Sequence, residues 1–242
     1  MAPVCAIVGA GEGLGCALAT KFASEAYDIA LVSRSEAGSA SAFKAASGAR
    51  AAANVQLFRA DATDPETIEQ ALADVARNMG DIDILIYNAR GEFTRCEPLD
   101  MTYEALENVY RLEVIGAFAA AKSVLPAMRK RGRGSVFFSS ATAAFRGSST
   151  HPLYAIGKFG LRALSQSLCK AYSRDGVHFV HVRLDCDLDV PVMRELYGDK
   201  FDQEGMANTA DVAESYWHAH LQPRSAWSNE IELRPYTETW TY

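Results

Sequence analysis

The chain has 242 residues, 49% of them hydrophobic and 22% charged, a composition ordinary for one globular domain with one large core. A formal net charge of −6 disfavours nucleic-acid and anionic-membrane partners, because neither phosphates nor acidic lipids attract a net acidic surface. The first apolar run breaks at Gly9 with no basic segment before it, far short of the roughly 20 residues that cross a bilayer, so neither a signal peptide nor an anchor is expected, and a cytoplasmic location is.

Residues 3–9, PVCAIVG, form a continuous apolar run closed by glycine, as in a strand buried on both faces of a parallel sheet. Residues 14–27 follow as a helix, with Leu14, Ala17, Leu18 and Phe22 recurring every three to four positions. A second strand is expected over 28–33 and an Ala/Ser-rich surface helix over 36–52. Further strands are read at 54–61, 83–88, 134–140, 177–184 and 230–235, and further helices at 64–79, 102–131, 152–174 and 209–221. Strands alternating with helices imply right-handed crossovers and a sheet covered on both sides, hence a three-layer α/β fold. Seven strands use up the chain, which reads as a single domain spanning 1–242.

GAGEGLG places Gly9, Gly11, Gly13 and Gly15 where the first strand hands over to the first helix, at Leu14. Glycines let the backbone approach a pyrophosphate closely, and the free amides at the positive end of the helix stabilise its charge. In this context the turn points to a dinucleotide. The second strand ends LVSR, so Ser33 and then Arg34 stand where an acidic residue would accept bonds from an adenosine ribose. That favours NADP over NAD, with NAD still open because Glu12 would oppose a 2′-phosphate if it faced inward.

With this turn, YNA after the fourth strand and YAIGK opening the sixth helix, the chain resembles the compact short-chain dehydrogenases/reductases over nearly its whole length. The resemblance implies a Rossmann fold with a doubly wound, mostly parallel seven-stranded sheet, a nicotinamide cofactor, and assembly into a homodimer or homotetramer through the helices at 102–131 and 152–174. It also implies that Asp61 and Ala62 lie near the adenine, Asn88 and Ala89 near the riboses, and Leu188 against the carboxamide. It is closest to a subgroup whose site departs from the usual pattern.

The implied chemistry is hydride transfer between a nicotinamide and a carbonyl or alcohol carbon, with a tyrosine as general acid or base. A phenol of ordinary pKa near 10 is a poor base at neutral pH and needs a cation beside it. Tyr154 and Lys158 are spaced i, i+4 and share a helix face. The serine that the family places thirteen residues before the tyrosine is here Ala141, flanked by Ser139, Ser140 and Thr142; its helix asparagine is Glu113. Glu113 either offsets the charge of Lys158, is neutralised by burial, or relays protons itself. Arg90 replaces a glycine, Asp185 and Cys186 replace the usual PG, and Val190 replaces a hydroxyl residue. Two readings follow: an oxidoreductase acting on a small or apolar carbonyl compound or secondary alcohol, or a dinucleotide-binding sensor or scaffold with little or no turnover.

Among other candidates, His151 precedes Tyr154 and is either a substrate contact or a plain loop residue. His218 and His220 are read as surface or interface residues, and no metal site is expected. Cys5, Cys16, Cys96, Cys169 and Cys186 lack paired spacing and read as free thiols. Residues 190–208 read as a substrate lid with Met193, Leu196, Tyr197, Phe201 and Met206 as candidate lining. The tail with Trp227, Tyr236, Trp240 and Tyr242 is expected to pack on a neighbouring subunit or to close the pocket.

Overall fold

The structure, a computed structural model, describes residues 2–91 and 93–239; Trp240 and Tyr242 of the tail fall outside them. The elements in chain order are β1 (Val4–Val8), α1 (Leu14–Ser24), β2 (Asp28–Ser33), α2 (Glu36–Ala49), β3 (Val55–Arg59), α3 (Pro65–Met79) and β4 (Ile82–Tyr87). There follow α4 (Tyr103–Tyr110), a π-helical segment (Arg111–Ile115), α5 (Gly116–Arg131), β5 (Gly134–Ala141), α6 (Pro152–Tyr172) and β6 (Val177–Leu184). The chain continues with β7 (Asp187–Leu188), α7 (Pro191–Tyr197), β8 (Met206–Ala207), α8 (Thr209–His220) and β9 (Glu230–Leu233).

Seven strands form one sheet in the order β3-β2-β1-β4-β5-β6-β9, and every pairing is parallel. Because side chains alternate along a strand, β1 sends Val4, Ala6 and Val8 into a core shared with α3, α5 and α6. Cys5 and Ile7 enter the opposite core, shared with α1, α2 and α8. Leu18 and Phe22 of α1 are fully buried there, each contributing about 1.5–3 kcal/mol of transfer free energy. The strand order reverses between β1 and β4, the crevice where open α/β sheets bind ligands.

Most predicted elements appear within a few residues of their expected ends, but three differences stand out. The helix expected over 102–131 is continuous yet passes through the π-helical segment, and the Tyr87 hydroxyl donates to the carbonyl of Leu112 within it. Just beyond, a Cβ on Gly116 would meet the Ala62 carbonyl, so only glycine lets the helix pass this close to the loop after β3. The second difference is the unforeseen β7–β8 pair, with Leu188 in register with Ala207. Third, His220 is half-buried: it lies 2.9 Å from both the Tyr27 hydroxyl and Ser135 Oγ, and burial pulls its pKa down to about 4. His218, by contrast, is exposed beside Glu214.

All five cysteines are free. Among the described residues, no helix is long and apolar enough to cross a membrane.

Candidate active site

The glycine turn sits at the C-terminal end of β1. Gly9 has φ +89, and a Cβ there would come within 2.5 Å of the Ala89 backbone nitrogen, so glycine is required for the turn to lie against the end of β4. Asn88 holds the turn from that side, donating from Nδ2 to the Gly9 carbonyl at 2.9 Å, while its own amide donates to the Val8 carbonyl at 2.7 Å. Gly15 is equally pressed by the Ala10 backbone, whereas Gly11 faces open space and Gly13 touches only Val190. The start of α1 has no side-chain cap and no acidic residue in its first turn, so its leading amides are left for an anion. Leu14 contributes its backbone to this helix start, and its side chain is buried in the core. These features fit a pyrophosphate: an open cradle at Gly11 beside the uncapped start of α1.

The Ser33 hydroxyl donates to the Ser35 carbonyl at 2.7 Å and accepts from Ser39 Oγ at 2.6 Å, so it serves the start of α2. Arg34 is exposed beside it, and Arg59 stands exposed in register with Ser33 on β3, a neighbouring cation that the sequence reading missed. Asp61 accepts from the amide and hydroxyl of Thr63 at 2.9 and 2.8 Å. The amide bond, more than Arg34 nearby, holds its pKa below the usual carboxylate range. Leu188 packs against the α1 and α8 core.

Tyr154 and Lys158 lie on the first two turns of α6, beside the end of β5, with the Lys158 ammonium 5.6 Å from the centre of the Tyr154 ring. Lys158 is buried and donates to Glu113 Oε2 at 2.8 Å and to the Ser139 carbonyl at 3.3 Å. Burial pulls the lysine pKa down, but the charge of Glu113 and the neighbouring Tyr154 outweigh it and the net shift is upward, so the lysine stays cationic. Glu113 fits here because α6 carries Gly157, where a Cβ would come within 2.8 Å of the Glu113 Cγ. The second oxygen of Glu113, Oε1, is buried and has no hydrogen-bond partner among the described residues.

The hydroxyls around Ala141 are directed elsewhere. Ser139 Oγ shares a hydrogen bond of 2.8 Å with the Tyr216 hydroxyl on the far face of the sheet, and Thr142 donates to Asp185, which Arg234 also pairs with at 2.7 Å. Ser140 Oγ is sealed from solvent and unpartnered among the described residues. On the open side, Phe93 stacks on His151 at 3.8 Å and 11° and meets Tyr154 edge-on at 5.1 Å and 89°. Phe93 was not anticipated; an aromatic residue in a polar loop after β4 was the available signal. Arg90 is exposed, and its charge reaches Lys158.

The segment 190–208 is mostly exposed, with Leu196 72% accessible and the Tyr197 hydroxyl donating to Asp187 at 2.7 Å. The tail meets it: Tyr236 donates to Glu204 Oε2 at 3.0 Å and Thr237 to the Glu204 carbonyl at 3.1 Å. Trp227 instead stacks on His178 at 4.7 Å.

An uncharacterized oxidoreductase of Staphylococcus epidermidis is 25% identical over 232 residues, covering 96% of each chain. A short-chain dehydrogenase from Rhodopseudomonas palustris superposes with TM-score 0.82 at 26% identity, covering 97% of this chain and 99% of that one. L-sorbose reductase from Gluconobacter frateurii, solved with NADPH and L-sorbose, shares the fold with TM-score 0.85 at 20% identity, over 97% of this chain and 96% of its own. The family model for short chain dehydrogenases matches residues 3–186. Since that match runs from the first strand through the sixth, the chain belongs to the short-chain dehydrogenase family.

Proposed function

We propose that this protein is an NADPH-preferring oxidoreductase acting on a small or apolar carbonyl compound or secondary alcohol, with Tyr154 as general acid/base. The observation that carries the reading is the Tyr154–Lys158 pair on one face of α6, with the ammonium fixed by Glu113 and the Ser139 carbonyl. When bound, NADPH supplies a hydride to the carbonyl carbon, leaving NADP⁺, while Tyr154 gives its proton to the oxygen; the reverse direction returns both.

Gly9, Gly11, Gly13, Gly15 and the first amides of α1 would hold the pyrophosphate, Asn88 and Ala89 the ribose side, and Asp61 and Ala62 the adenine side. Arg34, with Arg59 beside it, favours a 2′-phosphate because no carboxylate stands at Ser33. The NADPH bound to the L-sorbose reductase, a relative in fold, is consistent with that preference. Leu188 would lie against the carboxamide and residues 190–208 would close over the substrate.

The test is calorimetric titration with NADPH and NADH, followed by absorbance of the reduced nicotinamide with acetophenone, 2-octanone and benzaldehyde. Tighter NADPH binding and turnover that Tyr154→Phe lowers by at least about a hundredfold is the expected result. Binding without turnover on any of the three would favour a sensor or scaffold, the reading motivated by Ala141, Glu113 and Arg90 in place of the residues usual in the family.

A further inference from the structure

A carbonyl oxygen gaining charge beside Tyr154 needs a second hydrogen-bond donor, and Ala141 has none. The other hydroxyls of that stretch are committed to Tyr216 and Asp185 or sealed from solvent. The structure assigns this role to His151: we propose that its Nε2–H donates to the substrate oxygen in place of the absent serine. The inference rests on the oxidoreductase reading above.

The hydrogen-bond chain behind the ring favours a proton on Nε2. Ser148 Oγ accepts two backbone amides, Thr150 at 3.3 Å and His151 at 2.9 Å. With its lone pairs taken, its own proton goes to Thr150 Oγ1 at 3.3 Å. Thr150 Oγ1 lies 3.0 Å from His151 Nδ1, and we take its hydroxyl as the donor there. In the neutral ring Nδ1 is then the acceptor and Nε2 holds the proton.

Position agrees with chemistry. His151 is the residue flanking the start of α6, and Tyr154 stands three positions on in its first turn. Both rings meet Phe93, which lies flat against the imidazole and edge-on to the phenol. The stack holds the imidazole plane, and Phe93 remains 53% exposed, leaving an apolar edge beside the reacting centre. His151 supplies a hydrogen bond, and the transferred proton still comes from Tyr154.

The experiment measures steady-state NADPH oxidation with acetophenone, 2-octanone and benzaldehyde. His151→Phe keeps the stack on Phe93 and removes both nitrogens; it is expected to lower kcat/KM about a hundredfold with the NADPH Kd within about twofold. Adding Ala141→Ser to that variant is expected to restore about tenfold or more, because it returns a donor to the same oxygen. Thr150→Val, which frees the tautomer without touching the ring, should lower kcat by several fold at unchanged thermal midpoint. Turnover that survives His151→Phe, or that Ser140→Ala abolishes instead, overturns the assignment while leaving the oxidoreductase reading intact. No turnover of any of the three by the unsubstituted protein, despite NADPH binding, overturns the oxidoreductase reading and the donor role with it.

Discussion

Lys158 and Glu113, 45 residues apart in the chain, meet at 2.8 Å with their side chains 3% and 1% accessible. Taking two charges out of water is costly, and their mutual attraction offsets that cost only while both are present. Glu113→Ala should therefore destabilise the fold by about 3–5 kcal/mol, leaving an uncompensated ammonium. The double variant Glu113→Leu/Lys158→Met should recover most of that loss. Urea denaturation of the unsubstituted protein, Glu113→Leu, Lys158→Met and the double variant closes the cycle; additive losses would show that the two residues do not depend on one another.

The glycine turn separates folding from binding. Gly11→Ala meets nothing within 4 Å and should leave stability within about 0.5 kcal/mol while weakening NADPH at least about tenfold, because the new methyl enters the cradle. Gly9→Ala combines φ +89 with a clash at Ala89 and should cost more than about 1–2 kcal/mol of stability. Thermal melts with and without NADPH distinguish the two variants.

Cofactor choice should turn on the end of β2. Arg34→Glu removes a guanidinium and introduces a carboxylate at the place where a 2′-phosphate would lie. It should weaken NADPH by about 1.5–3 kcal/mol, the worth of a charged hydrogen bond, while NADH binding holds or improves. Equal weakening of both cofactors would place the phosphate elsewhere.

Acid stability should depend on His181, whose ring nitrogens are both buried and unpartnered among the described residues. Burial lowers its pKa to about 4. Between roughly 6.5, the ordinary value, and that folded value, the unfolded chain takes up a proton that the native state refuses. This contribution to stability is full above the ordinary pKa, falls as the pH drops through the window, and is gone below the folded pKa. His181→Leu should flatten that part of the pH–stability curve and raise stability near its acid end, as followed by urea midpoints from pH 7 to pH 4.

The alternation of strands and helices, the glycines at the first strand end and the i, i+4 spacing of Tyr154 and Lys158 were all legible, because each is a local pattern: apolar periodicity, a break at glycine, one helical turn. Arg34 at the end of β2 was legible for the same reason. The π-helical segment was not, since apolar periodicity carries no sign of it and Tyr87, which donates to its Leu112 carbonyl, comes from β4. Glu113 could be matched to a position by counting along the helix, but three states remained open for it.

What the sequence by itself determined is the layered α/β fold and the place of the turn and of the tyrosine–lysine pair, which follow from interactions within a few residues. Only the tertiary structure decided that Glu113 closes on Lys158 through the gap left by Gly157, that the hydroxyls around Ala141 serve other partners, that Phe93 stacks on His151 beside Tyr154, and that the tail reaches Glu204. Each of these joins segments distant in the chain. Their approach is set by how helices and loops pack on the sheet, and no local periodicity records it.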